Sequence, residues 1–72
     1  MKQKLSIIIP LFNEEAVIEQ LILRLQSTLK NEHEFEHEII FVDDGSSDAT
    51  LAKLEAQTDN VNNISIISFT RN

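Results

Sequence analysis

Cysteine, tryptophan and tyrosine are absent from these 72 residues, and glycine and proline occur once each. Without cysteine there is neither a disulfide framework nor a thiolate metal site, so carboxylate and histidine side chains are the remaining staples for so small a scaffold. The lack also fits a reducing compartment. A single glycine excludes the two glycine-rich phosphate cradles, G-x-G-x-x-G and G-x-x-x-x-G-K-[ST]. Basic residues are scarce, six against twelve acids for a net charge of −6, which repels polyanions and argues against nucleic acid as a partner. No apolar run approaches the roughly 18 residues of a membrane span. The start Met1-Lys2-Gln3-Lys4 meets Pro10 and acids too soon for a signal peptide. The chain itself is expected to be soluble and cytoplasmic.

What is present is 42% hydrophobic residues, enough for one small packed domain and too many for a disordered segment. Leu5-Ser6-Ile7-Ile8-Ile9 is a nearly continuous β-branched run, the pattern of a strand covered on both faces. Pro10-Leu11-Phe12-Asn13 is expected to be the loop leaving it, with Asn13 as N-cap and Glu14 and Glu15 in the first turn of a helix. Val17, Ile18, Leu21, Ile22, Leu25 and Leu29 recur at three and four residues, predicting one helical face to about Lys30. Residues 31–38 read as an exposed polar connection into a second strand, Ile39-Ile40-Phe41-Val42. A second helix is expected from Ser46 or Ser47, carrying Leu51 and Leu54, and Ile64-Ser65-Ile66-Ile67-Ser68-Phe69 predicts a third strand after a run of loop formers. The order β-α-β-α-β predicts an α/β fold, half of a doubly wound, Rossmann-like parallel sheet with right-handed crossovers. So short a sheet looks like the first part of a larger, truncated domain, and its open edges could take a second copy of the chain.

If the first two strands are parallel, residues 10–15 and 42–48 share the carboxyl-end rim, where open α/β sheets bind ligands. Asp43, Asp44 and Asp48 surround Gly45 there. Carboxylates in such a place accept hydrogen bonds from sugar hydroxyls or base N–H groups, or hold a hard divalent cation.

The residues Ser6-Ile7-Ile8-Ile9-Pro10-Leu11-Phe12-Asn13-Glu14-Glu15, Glu38-Ile39-Ile40-Phe41-Val42-Asp43-Asp44-Gly45-Ser46-Ser47-Asp48-Ala49-Thr50 and Phe69-Thr70-Arg71-Asn72 resemble the opening of the family 2 inverting glycosyltransferases. The similarity is closest to the polyprenyl-phosphate hexosyltransferases and spans essentially the whole chain. It implies a nucleotide-sugar domain of the GT-A type, taking a UDP- or GDP-hexose donor and, in full-length relatives at the cytoplasmic face of the membrane, a polyprenyl phosphate acceptor. By this resemblance Pro10, Phe12, Glu14, Val42 and Asp44 line the nucleoside pocket, Asp43 flanks it and Arg71 approaches the diphosphate. Phe12 stands where tyrosine is common. The divalent cation expected for the full-length enzyme, Mg or Mn, has no assignable ligands here, because the family's D-x-D motif and acceptor-activating carboxylate are missing from the sequence. The alternative is a catalytically inactive nucleotide-binding or self-associating fragment.

Plainer explanations compete at each position. The three aspartates would also suit an ordinary strand-to-helix turn, Glu15 a first-turn acid, Phe12 a core residue and Arg71 a solvated end. His33-Glu34-Phe35-Glu36-His37 matches H-E-x-x-H, but it follows a helix end, abuts a strand and lacks a third ligand, so a solvated connection is expected. Asp44, Ser46, Asp48 and Glu55 fit places one, three, five and twelve of a calcium loop, yet Ala49 occupies the glycine place and a strand precedes it. The adjacent pair Asp43-Asp44 follows the second strand, whereas a phosphoacceptor pair of the receiver type would follow the first.

Overall fold

Three β-branched runs separated by amphipathic segments have one economical arrangement, parallel strands joined by helices, and the computed structural model adopts it. It describes residues 3–59 and 61–70. Strand β1 (Gln3–Leu11) leads through a 3-10 turn (Glu15–Val17) into helix α1 (Ile18–Leu29); β2 (Phe35–Asp44), helix α2 (Thr50–Thr58) and β3 (Ile64–Phe69) follow. The sheet is parallel throughout in the order β1-β2-β3, with Ile9 opposite Phe41 and Phe41 opposite Ile66.

Alternation along β2 decides which face is the core. Ile39, Phe41 and Asp43 are buried whereas Ile40 and Val42 are half-buried and Asp44 is exposed. Phe41 and Ile39 pack with Leu11, Ile18, Ile22 and Leu54, and with the flanks of Ile9, Leu21, Leu25, Leu29, Ile64 and Ile66. Both helices lie on this face, where they touch each other. On the opposite face Ile8, Ile67 and Phe69 are exposed. The expected half of a doubly wound sheet is therefore present with one of its two helical layers.

Several boundaries depart from expectation for identifiable reasons. β1 continues through Pro10 and Leu11, where a loop was predicted; β1 is an edge strand, and a residue without N–H is tolerated there. β2 begins at Phe35, not Ile39, because Phe35-Glu36-His37-Glu38 pairs with residues 3–6. Glu38 finds cross-strand partners: the Ser6 hydroxyl donates to it at 3.2 Å, and Lys4 Nζ lies 3.1 Å from the same carboxylate. The Lys4 contact, with the Ser6 bond, holds the Glu38 pKa below its ordinary value. Helix α1 opens through the 3-10 turn, whose N-cap is Glu14 without a side-chain cap bond. Asn13, expected as the cap, instead takes a left-handed conformation with φ 51°, which asparagine tolerates better than most residues. Val17 belongs to that turn and so falls off the buried stripe of Ile18 and Ile22. α2 starts at Thr50, later than Ser46 or Ser47, whose side chains are engaged across the rim. Gly45 turns the chain out of β2 at φ 73°, a region where a Cβ is penalised.

Leu54 is 0% exposed and Leu23 65%. Leu54→Ala is therefore expected to cost about 2–5 kcal/mol and Leu23→Ala less than about 0.5 kcal/mol, read from urea titrations followed by far-UV circular dichroism. Equal losses would contradict the assignment of the core face.

Candidate functional site

The parallel register brings the two carboxyl-end segments side by side: Pro10 is opposite Val42 and Leu11 opposite Asp43. Beyond the last paired residues, the amides of residues 13–15 need acceptors, and the side chains of residues 46–50 supply them. Asn13 N–H donates to Ser46 Oγ at 2.9 Å, Glu14 N–H to Thr50 Oγ1 at 2.8 Å, and Glu15 N–H to Asp48 Oδ2 at 3.4 Å. In return Ser47 N–H donates to Asn13 Oδ1 at 2.8 Å, with the Ser47 hydroxyl at 3.4 Å from the same oxygen. Lys53 Nζ donates to the Glu15 carbonyl at 3.1 Å.

Each acceptor is itself held. The Ser46 hydroxyl donates to Asp43 Oδ1, and the Thr50 hydroxyl and N–H both donate to Asp48 Oδ1, the latter at 2.9 Å. Thr50 is fully buried, and Asp43 is 2% exposed. The Thr50 hydroxyl bond keeps the Asp48 carboxyl below its ordinary pKa against an opposing desolvation, with help from the Thr50 and Glu15 amides. The Asp48 anion thus contributes fully above its ordinary pKa, and the contribution is lost as pH falls through the lowered folded-state value.

The residues singled out from sequence divide between two faces. Pro10, Val42 and Asp44 occupy alternate positions on the face opposite the helices, with Pro10 and Asp44 exposed and Val42 half-buried. Phe12 and Glu14 follow β1 directly and are exposed. Asp43 lies on the helix face, bonded to Ser46. It lines an open cleft of about 390 Å³ between the start of α2 and the end of β3, together with Gly45, Ser46, Ser47, Leu51 and Ser68. Arg71 lies outside the described residues. The sequence pattern suggests Ser46 or Ser47 as the cap of the second helix, with Asp48 in its first turn, and gives Thr50 no role of its own. A signal was available, since the stretch from Asp43 to Thr50 carries more oxygen-bearing side chains than one cap consumes.

The arrangement accepts more hydrogen bonds than it donates. With the amides of residues 13–15 consumed by side chains, this segment does not present them to an anion, while the Glu14 and Asp44 carboxylates are acceptors by chemistry. Among the described residues no three His, Asp or Glu side chains gather as a metal site. In the H-E-x-x-H match, His37 sits in β2 and pairs with Glu32 at 3.1 Å, while His33 is exposed before the strand, so the two imidazoles do not share a helical turn. The Glu34 amide, and beyond it the His37 contact, lowers the Glu32 pKa. No described helix is long and apolar enough to cross a membrane.

Comparison with known proteins places these motifs in context. The sequence model of Glycosyl transferase family 2 matches residues 6–72. The chain is 46% identical over 52 residues to an undecaprenyl-phosphate 4-deoxy-4-formamido-L-arabinose transferase of Proteus mirabilis, which covers 72% of this chain and 16% of that protein. It is 35% identical over 69 residues to a prophage bactoprenol glucosyl transferase homolog of Escherichia coli, covering 96% of this chain and 22% of the relative. The bactoprenol glucosyl transferase of Shigella phage SfX gives the same identity and coverage. The chain thus spans about a fifth of the length of these relatives.

The bond between Thr50 and Asp48 is open to direct measurement. A carbon-detected NMR titration of the Asp48 carboxyl is expected to give a midpoint below 3.8, and Thr50→Val to move it upward. A midpoint at or above the ordinary value in the unsubstituted chain, unmoved by Thr50→Val, would contradict the role given to the bond.

Proposed function

The chain belongs to glycosyl transferase family 2, and from that premise we propose that it is the donor-nucleotide-binding part of an inverting glycosyltransferase. The enzyme moves a hexose from a nucleoside-diphosphate sugar, UDP or GDP, to a polyprenyl phosphate. The observation that carries the reading is the locked pair of rims, which sets Pro10, Val42 and Asp44 on one face beside Phe12 and Glu14. Asp44 and Glu14 accept hydrogen bonds from ribose hydroxyls or a base N–H, and the Phe12 ring supplies a face for the base. The acceptor class follows that of the relatives, whose names speak of undecaprenyl phosphate and bactoprenol.

In the reaction proposed, an acceptor phosphate oxygen attacks the anomeric carbon as the bond to the nucleoside diphosphate breaks on the opposite face, so configuration inverts. The described residues hold the nucleoside end of the leaving group and orient it. None of them is assigned as a general base. A divalent cation, Mg or Mn, would offset charge on the diphosphate when bound, but the described residues do not fit as its ligands, and no step is routed through it.

A second reading, a self-associating fragment without catalysis, is favoured by the exposed Ile8, Ile67 and Phe69 on the uncovered sheet face. Sedimentation velocity decides it. Self-association abolished by Ile8→Lys supports this reading, and a monomer at all concentrations removes it.

Calorimetric titration with UDP and with GDP, with and without Mn²⁺, tests the first reading. Saturable binding of one nucleotide is expected, weakened about tenfold or more by Asp44→Ala combined with Glu14→Ala, as for loss of one or more charge-assisted hydrogen bonds. If neither nucleotide binds, or if binding survives the double substitution, the assignment of the pocket is wrong.

A further inference from the structure

We propose that Ser46, Asp48 and Thr50 are positioning residues of the donor site, whose side chains fix the Phe12–Glu14 segment by accepting three successive backbone N–H groups. The inference rests on the donor-binding reading above and assigns a function to residues that touch no donor in it. Asn13, Glu14 and Glu15 are separated from their acceptors by 33 to 36 residues in sequence. The contacts therefore belong to no local turn and serve to join the end of β1 to the start of α2.

The acceptors are anchored to the rigid part of the fold. Ser46 is tied to Asp43, buried on the sheet's helix face, and Thr50 is fully buried as the first residue of α2. Asp48 receives both the hydroxyl and the amide of Thr50. Movement of residues 13–15 away from this position would leave polar groups without partners at a partly buried site. Asn13 also stands at φ 51°, a left-handed conformation that asparagine tolerates and that its bonds here select. Those bonds run from its N–H to Ser46 and from the Ser47 N–H to its side-chain oxygen.

The functional consequence concerns the two exposed side chains that bracket Asn13. Phe12 and Glu14 flank Asn13, so the backbone conformation held at Asn13 and Glu14 sets where both exposed side chains leave the chain. A preformed segment binds without the cost of ordering it, and a loosened one loses affinity even though every donor-contacting side chain is present.

Thr50→Val keeps the shape of the buried side chain and deletes the hydroxyl, while Thr50→Ser restores it. Two readouts are taken on each variant and on Ser46→Ala: affinity for UDP or GDP by calorimetry, and amide hydrogen exchange by NMR. Expected for Thr50→Val and Ser46→Ala is about tenfold weaker nucleotide binding, the size of one lost hydrogen bond, with faster exchange confined to residues 13–15. Protection at Ile39 and Phe41 should be unchanged, and Thr50→Ser should recover both quantities. Full affinity in Thr50→Val and Ser46→Ala overturns the positioning role while leaving the donor reading intact. Loss of protection throughout the sheet in one variant makes the other decisive, and general loss in both overturns it in favour of a purely structural role. Absence of nucleotide binding in the unsubstituted chain overturns the donor reading, and the inference with it.

Discussion

The carboxyl end of the sheet depends on finding acceptors for three adjacent backbone N–H groups. A strand that ends and a helix that begins a few residues later leave donors outside both the ladder and the helical pattern, and burial makes an unmet donor costly. Here Ser46, Thr50 and Asp48 meet that need from the far side of the rim. The same Asp48 carboxylate also accepts the Thr50 N–H, so the first amide of α2 is met from Asp48 while the N-cap residue Ala49 makes no side-chain bond. The start of α1 likewise has no capping side chain. One shared network between the two rims thus stands in for cap bonds from the N-cap residues Val17 and Ala49.

This explains which parts of the structure were legible in the sequence. The β-branched runs gave three strands, the three-and-four spacing gave α1, and their alternation gave the parallel α/β architecture. Those signals are local and periodic. The misplaced boundaries lie where a distant partner overrides a local preference. Serine after a strand is a good cap signal, but Ser46 and Ser47 are held by Asn13 across more than thirty residues. The acidic start of β2 hid its strand character, since Glu38 is tolerated through Ser6 and Lys4 on the neighbouring strand. The separation of Asp43 from Asp44, in contrast, was readable in principle. Adjacent residues in a strand face opposite sides, so two neighbouring acids at its end cannot both look onto one surface.

The chemistry of the rim and the charge of the chain point the same way. Twelve acids against six bases, with the amides of residues 13–15 already engaged, leave little to attract a free phosphate. The exposed Glu14 and Asp44 carboxylates are hydrogen-bond acceptors, which the proposed donor site uses toward hydroxyl and N–H groups. The chain belongs to a glycosyltransferase family, and the relatives it matches are about five times longer.

The pairing of β1 with β2 has a consequence for folding fidelity. Parallel strands rich in isoleucine offer several nearly equivalent alignments, and a slip of one residue would turn Pro10 and Val42 to opposite faces of the sheet. Such a slip would also carry Asn13 about 3.3 Å along the strand direction, beyond the reach of Ser46 and Ser47. The reciprocal Asn13 bonds therefore behave like a key in a lock, closing in one alignment of the sheet and discriminating against its neighbours.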